Sequence, residues 1–130
     1  MRAVVADANG LLMPFQFKFN LQAELQRVMG ECELLVPSSV MWEMRKLAER
    51  IPEARTALSL VESLKASKGS IRARVVETTL PGDEAVLQLS VLYRAPALTS
   101  DKELICKLQA HGMPVIRLKA GRYLEISGAL

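Results

Sequence analysis

A short apolar run that ends on an acid, Val4-Val5-Ala6-Asp7, constrains the fold more than any other stretch of this chain. Strands that are buried on both faces of a parallel sheet show continuous hydrophobic runs rather than alternation. The run is therefore predicted to be a buried parallel strand, closed by Asp7. In open parallel α/β sheets, ligands bind outside the carboxyl ends of the strands, which would place Asp7 at the mouth of a site.

The rest of the chain alternates predicted strands and helices. Further strands are expected at residues 34–36, 74–76, 97–99 and 114–118, with a possible edge strand at 123–126. Helices are expected between them, capped by Asn20, by Ser38 or Ser39, and by Ser100, or opened by Pro52 and Asp83. This alternation predicts a parallel sheet of four to five strands with helices on both faces.

The totals fit one domain over residues 1–130. Half of the residues are hydrophobic and 24% are charged, which is ordinary for a globular protein. No apolar stretch approaches the ~20 residues of a membrane span, and Asp7 and Asn9 interrupt the layout of a signal peptide. Cys32 and Cys106 have no metal-like spacing and are expected to be reduced thiols of a cytoplasmic protein, with a disulfide as the less favoured alternative.

Residues 14–19 contain all three phenylalanines, Phe15, Phe17 and Phe19, at alternating positions. Pro14 favours an extended loop over a strand at this place. Filling the core or a dimer contact is the preferred role for these rings, and stacking on RNA bases is the alternative, since stacking needs exposed rings.

Four acids are predicted to reach the same edge of the sheet. Asp7 ends the first strand, Asp83 and Asp101 each begin a helix near the strand at 97–99, and Glu43 lies on the helix after the second strand. Carboxylates ~4 Å apart repel by about 4 kcal/mol at an effective dielectric of 20, so such a cluster requires protons or cations. Ligands that are all oxygen favour Mg²⁺ or Mn²⁺, whose natural chemistry is metal-activated water attacking a phosphodiester.

The charge balance agrees with an anionic substrate. There are 17 Lys and Arg against 14 Asp and Glu, a net charge of +3. If four acids converge in one pocket, ten acids remain against 17 bases elsewhere. A basic surface around an acidic pocket is typical of a protein that binds a nucleic-acid substrate at a metal-dependent site.

The densest basic stretch and the only histidine are further candidates for a functional site. Lys65, Lys68, Arg72 and Arg74 are candidates for RNA phosphate contacts, with a solvated surface as the alternative. His111 lies at a predicted helix C-terminus with no Cys or His nearby in sequence, so it is expected to be structural and not a metal ligand.

Four short motifs, in order along the chain, resemble those of PIN domains. They are Asp7-Ala8-Asn9 after a Val-rich strand, Pro37-Ser38-Ser39-Val40 with Glu43, Asp83-Glu84-Ala85-Val86, and Thr99-Ser100-Asp101-Lys102-Glu103-Leu104. The family-like Gly112-Met113-Pro114-Val115-Ile116 follows them. Each motif is short, and their shared order along the whole chain makes the match specific.

The resemblance implies a three-layer α/β/α sandwich, an acidic Mg²⁺ or Mn²⁺ site, endoribonuclease activity on RNA and frequent homodimers. Carried over residue by residue, the resemblance implies that the catalytic, metal-binding acids are Asp7, Glu43, Asp83 and Asp101. Asn9 and Thr99 would orient those acids. A Thr or Ser often follows the first aspartate in the family, and Ala8 stands here instead.

Three functional interpretations remain open. The segment at residues 12–18 looks more like archaeal-type PIN proteins related to ribosomal-RNA-processing nucleases. The first alternative is a VapC-type toxin ribonuclease, which would have an antitoxin protein as partner. The second alternative is a PIN fold that serves as a non-catalytic scaffold for RNA or protein.

Overall fold

The structure is a computed structural model that describes residues 2–128. Within that range the chain forms six strands and six helices. In chain order they are β1 (Arg2–Ala6), α1 (Ala8–Phe17), α2 (Leu21–Met29), β2 (Cys32–Pro37), α3 (Ser38–Leu47), α4 (Pro52–Lys65), β3 (Ile71–Val76), α5 (Gly82–Tyr93), β4 (Ala97–Leu98), α6 (Lys102–Ala110), β5 (Val115–Lys119) and β6 (Tyr123–Ser127). None of these helices combines the length and the apolar character needed to cross a bilayer.

The strands form one sheet in the order β3-β2-β1-β4-β5-β6. The first five are parallel to one another, and β6 pairs antiparallel with β5 at the edge. The expected α/β/α fold with a central parallel sheet is confirmed, with the edge strand β6 as an antiparallel addition to the five parallel strands.

Strand β1 lies in the middle of the sheet and of the hydrophobic core. Val4, Val5 and Ala6 are fully buried. Val5 is in register with Leu35 of β2, and Ala6 is in register with Leu98 of β4. Because these strands are parallel, their carboxyl ends open onto one edge of the sheet, and the residues that follow them meet there.

The extended loop expected over residues 14–19 was wrong, because α1 continues through Pro14 to Phe17. A proline at this place removes one backbone donor, yet the helix is retained because its residues from Gly10 to Pro14 are buried against the core. The helix then ends at Lys18, which adopts a left-handed conformation with φ 58°. Two of the three rings pack against the core, and Phe17 is 52% exposed.

Several predicted helix ends are confirmed, and the cap of α3 differs. Asn20 caps α2 by accepting from the Ala23 amide, and Pro52 opens α4. Helix α3 has no side-chain cap; instead, the Ser38 hydroxyl accepts from the Thr78 amide at 2.9 Å, which ties α3 to the loop after β3.

Two further expectations fail at α5 and α6. The apolar repeat of α5 predicts that Leu92 and Tyr93 face inward together with Val86 and Leu89, but Leu92 and Tyr93 are 70% and 39% exposed, while Val86 and Leu89 are buried. Asp101, rather than Ser100, caps α6. The 3.6-residue repeat did not distinguish the two sides of α5, because apolar residues occur on both.

The edge strand β6 is fastened to α2 through its backbone. The Leu124 amide donates to Glu24 Oε1 at 2.8 Å, and Arg27 donates to the Leu124 carbonyl. Glu24 and Arg27 also pair with each other at 2.9 Å. The outward-facing polar groups of Leu124 are therefore satisfied by side chains of α2.

Candidate active site

A cavity of about 410 Å³ opens at the carboxyl edge of the sheet. The chain contains three aspartates, and all three line this cavity together with Glu43. The other lining residues are Ala8, Asn9, Leu12, Val40, Leu47 and Gly82. The four acids singled out from the sequence therefore share one cavity, because parallel strands deliver the residues after them to the same edge.

Asp7 is the buried member of this group, with 8% of its surface exposed. Its Oδ1 accepts from the Gly10 amide at 2.7 Å, and its Oδ2 accepts from the Thr99 hydroxyl at 2.5 Å. Burial raises the pKa of Asp7 to about 6; the charges of Asp101 and Glu43 add to this rise, and the two hydrogen bonds oppose it. The side chain is thus fixed in position, and its negative charge is poorly compensated.

Asp101 reaches the cavity as the N-cap of α6. Its Oδ1 accepts from the amides of Glu103 at 2.9 Å and Leu104 at 3.1 Å. The Asp101 amide donates to Thr99 Oγ1 at 3.1 Å, so one hydroxyl connects Asp101 to Asp7. An N-cap carboxylate is stabilised by the helix dipole, which allows an acid to be held here near two others.

Asn9 ties the end of β1 to the loop after β4. Its Oδ1 accepts from the Ser100 amide at 2.9 Å and lies 3.2 Å from the Ser100 hydroxyl. Of the two residues expected to orient the acids, Thr99 contacts Asp7 directly, while Asn9 acts on the backbone that carries Asp101. A role in metal binding stays a prediction for both.

Glu43 and Asp83 line the cavity from α3 and α5. A methyl group at Gly82 would lie 3.3 Å from Glu43 Oε1, which shows how closely the first turn of α5 approaches this carboxylate. Asp83 lies 3.8 Å from Lys107 of α6, and its side chain is 52% exposed. Asp101 and Glu43 are the acids whose charges raise the pKa of Asp7, and Asp83 is not among them.

The four carboxylates line the cavity without forming a ready-made coordination group. Within residues 2–128, no three Asp, Glu, His or Cys side chains are close enough together to hold one metal ion. Mutual repulsion gives a physical reason for this spacing. The donor set nevertheless fits Mg²⁺ or Mn²⁺, because it is made of oxygens alone and because the charges of Asp101 and Glu43 already act on Asp7.

The basic stretch lies at the opposite end of the sheet. Lys65 and Lys68 precede β3, and Arg72 and Arg74 lie within it, so this group extends from the amino end of the strand. Lys65 pairs with Glu62, and Arg74 pairs with Glu33 and stacks over Tyr93. The structure does not bring these residues to the cavity, and their contact with RNA stays a prediction.

The contacts of two further residues near the cavity were not predicted from the sequence. Gly10 approaches β4 so closely that a methyl group there would lie 2.2 Å from the Leu98 carbonyl oxygen. The spacing of Asp7 and Gly10, as N-cap and third helical residue, is a sequence signal for the hydrogen bond from the Gly10 amide to Asp7 Oδ1, but not for the approach to Leu98. Lys107 lies between Asp83 and Glu103, and its position four residues after Glu103 was visible in the sequence.

A family profile described as a PIN like domain matches residues 4–121 of this chain. The chain therefore belongs to the PIN-domain family, and the resemblance carried by the four short motifs is confirmed. The profile spans all four cavity acids, from the end of β1 to the start of α6.

Two curated relatives and two solved structures place the chain further. It is 32% identical over 125 residues to "Ribonuclease VapC9" of Archaeoglobus fulgidus, covering 92% of this chain and 84% of the relative. It is 28% identical over 130 residues to "Ribonuclease VapC4" of Methanocaldococcus jannaschii, covering 98% of each. The fold matches "PIN domain endonuclease Utp24" with a TM-score of 0.79 at 19% identity, covering 98% of this chain and 92% of that one. It also matches a domain of a functionally unknown protein from Methanocaldococcus jannaschii, with a TM-score of 0.66 at 16% identity and coverage of 100% and 99%.

Proposed function

We propose that this protein is a metal-dependent endoribonuclease that hydrolyses phosphodiester bonds of RNA in the acidic cavity. The observation that carries the proposal is Asp7, a buried carboxylate that is fixed by Thr99 and Gly10 and shares its cavity with three further acids. Burying a charge without a partner is costly, so this arrangement is best explained by a cation that the acids hold. The relatives named as ribonucleases support the choice of RNA as substrate.

Each acid has a distinct part in this proposal. Asp7 is the central ligand, because its orientation is fixed by two hydrogen bonds. Asp101 and Glu43 are the acids whose charges act on Asp7, and Asp83 adds a fourth carboxylate, which lies 3.8 Å from Lys107. Bound Mg²⁺ or Mn²⁺ would supply an activated water and stabilise negative charge on the phosphate. Thr99 keeps Asp7 and Asp101 at a fixed separation through its hydroxyl.

RNA cleavage should require both the metal and the cavity acids. With single-stranded RNA, we expect products with Mg²⁺ or Mn²⁺ and none with a chelator. Glu43→Gln should lower the rate by about 100-fold or more, since a neutral amide binds the cation poorly. Glu49→Gln, the same change on an exposed residue outside the cavity, should leave the rate unchanged. Equal rates for Glu43→Gln and the parent protein would exclude Glu43 from the site.

The alternative to the nuclease is a non-catalytic scaffold, which would not cleave RNA in the assay described above. Calorimetric titration with Mn²⁺ separates the two, because a nuclease binds the ion in the cavity. Binding of RNA without binding of Mn²⁺ would favour the scaffold. Four acids lining one cavity argue against it, since a scaffold does not need carboxylates that repel one another.

The biological role is proposed to be that of a VapC-type ribonuclease, with an antitoxin protein as partner. The two curated relatives bear this name and match over nearly the whole chain, whereas the likeness to Utp24 at 19% identity shows the fold alone. The sequence-based preference for ribosomal-RNA processing becomes the second candidate. Growth arrest on expression, relieved by a neighbouring gene product, would support the toxin.

We propose that the expected homodimer forms through the outer face of α5. Leu87, Val91 and Leu92 form an apolar surface there, with Glu84 and His111 at its margins. An apolar centre with a polar rim is typical of interfaces, and one helix face that packs on its own copy generates a closed two-fold dimer. A second copy of this chain is therefore the proposed occupant.

A charge on this face should prevent the dimer. Leu92 is 70% exposed, so Leu92→Glu should fold normally and sediment as a monomer at concentrations where the parent protein is dimeric. Phe17→Glu, at another exposed apolar residue, should remain dimeric. Sedimentation velocity measures both, and a parent protein that is monomeric throughout would refute the interface.

A further inference from the structure

The only tryptophan of the chain, Trp42, is exposed on α3. It keeps 59% of its surface accessible to solvent, although tryptophan is a residue type that proteins usually bury to a large extent. Single exposed hydrophobic residues are common and need no functional explanation. The surroundings of Trp42 therefore decide whether its exposure has a purpose.

The first feature of those surroundings is Lys46, one helical turn further along α3. Its ammonium group lies 4.0 Å from the centroid of the Trp42 ring. A cation over an indole face is attracted by the electrons of the ring, which restrains both side chains. The exposed fraction of the ring is large enough to leave indole surface open beside the part under Lys46.

The second feature is the neighbouring cavity wall. Glu43 and Leu47 line the acidic cavity, and they directly follow Trp42 and Lys46 in the sequence. Consecutive helical residues are displaced by about 100° around the axis at nearly the same height. The pair Trp42 and Lys46 therefore forms a ridge beside the ridge that walls the cavity, within reach of a polymer that passes over α3.

The third feature is unpaired positive charge along the same helix. Arg45 and Lys46 lie on the exposed side of α3, and Arg50 is exposed in the turn after it; within residues 2–128 none of the three forms a salt bridge. Four carboxylates in the cavity repel phosphates, so an RNA chain needs cations nearby to be held there. This flank of α3 supplies them.

We propose that Trp42 and Lys46 bind one unpaired nucleotide of the RNA next to the cavity. The base stacks on the open part of the indole ring, and the ammonium group of Lys46 contacts the adjoining phosphate. Stacking on an aromatic side chain accepts any base and requires that the base be unpaired. The inference rests on the proposed nuclease function, and it makes single-stranded RNA the preferred substrate.

Because Trp42 is the only tryptophan, its fluorescence reports on this site directly. The test uses the full chain carrying Asp7→Asn, so that RNA is bound and not cut. A short unpaired RNA should quench the tryptophan emission in a saturable manner. A fully paired duplex of the same length should not, because its bases are already stacked.

Cleavage kinetics in the otherwise unaltered protein provide the second readout. Trp42→Ala should raise KM by about 10-fold or more, with kcat changed little, because base stacking contributes to binding. Trp42→Phe should recover part of the loss, and Lys46→Ala should raise KM as well. Phe17→Ala, at an exposed ring on α1, is the matched control and should leave KM unchanged.

The outcomes separate this inference from the nuclease proposal. Cleavage with normal KM in Trp42→Ala and no quenching by RNA would overturn the inference and keep the nuclease. Saturable quenching in a protein that never cuts RNA would keep the nucleotide site and overturn the nuclease. A tryptophan signal that changes with protein concentration, and not with RNA, would show that a second copy covers the ring, which also overturns the inference.

Discussion

Replacing Asp7 with asparagine should abolish RNA cleavage and, at the same time, make the metal-free protein more stable at neutral pH. The pKa of Asp7 rises from 3.8 to about 6, chiefly because the side chain is buried. A rise of this size corresponds to about 3 kcal/mol of unfavourable free energy when the carboxylate is ionised in the folded protein. Asparagine removes the charge and with it both the cost and the metal ligand.

The hydrogen bonds around Asp7 can be rearranged to accept the amide. Its oxygen can still accept from the Gly10 amide, as Oδ1 does now. The Thr99 hydroxyl, which at present donates to Oδ2, would turn and accept from the new amide group. We therefore expect the melting temperature of metal-free Asp7→Asn at pH 7 to rise by about 10 °C, and its cleavage rate to fall by about 100-fold or more.

The pH dependence of stability provides the check on this explanation. The unfolded chain ionises Asp7 near 3.8 and the folded chain near 6, so the folded state holds more protons between these values. Stability of the metal-free protein should therefore be highest below about pH 4 with respect to this group, and be lost as the pH rises through 6. In Asp7→Asn this loss should disappear.

Thermal unfolding in a chelator, at several values of pH, measures both proteins. Asp83→Asn is the comparison, since Asp83 is half exposed and does not raise the pKa of Asp7. It should leave the melting temperature and its pH dependence nearly unchanged. An Asp7→Asn protein less stable than its parent at pH 7 would show that the hydrogen bonds outweigh the buried charge.

Gly10→Ala should destabilise the protein by about 3 kcal/mol and eliminate activity. A methyl group there would lie 2.2 Å from the Leu98 carbonyl oxygen and 3.1 Å from Asp7 Oδ1. Alanine is favoured over glycine within a helix by about 1 kcal/mol, but this clash involves backbone and can be relieved only by moving α1 away from β4. Such a movement would separate Asp7 from Thr99.

Urea denaturation measures the loss, and Gly69→Ala is its matched control. Gly69 is exposed, and a methyl group on it would make an ordinary contact of 3.4 Å with Ser67. That variant should differ from the parent protein by less than about 0.5 kcal/mol. A Gly10→Ala protein of parental stability would mean that α1 and β4 can separate without cost.

The sequence predicted the position of the acids well because their positions depend on topology. Once Val4-Val5-Ala6 is a buried parallel strand, Asp7 must follow it at the edge where Asp101 also emerges. The contacts of those acids depend on side-chain geometry, which no repeat encodes. The capping of α6 by Asp101 and the pairing of Asp83 with Lys107 became visible only in the structure.

The failures share a physical cause, which is that tertiary packing overrides local preference. Pro14 and the alternating phenylalanines indicated a loop, yet burial of the preceding residues keeps α1 helical. Leu92 follows the apolar repeat of α5 and nevertheless faces outward. Periodicity indicates where apolar residues fall on a helix, but it does not show which of two apolar sides of that helix packs against the core.

The fastening of Leu124 to α2 has a consequence for how copies of this protein can assemble. The outward amide and carbonyl of Leu124 already form hydrogen bonds with Glu24 and Arg27. These two backbone groups of β6 are therefore not available for pairing with a strand of another molecule. At the other border of the sheet, β3 exposes Arg72 and Arg74, whose charges discourage pairing with a second β3. The contacts at Leu124 and the charges on β3 thus oppose continuation of the sheet into a neighbouring molecule at these places, which lowers the risk of fibrous aggregation.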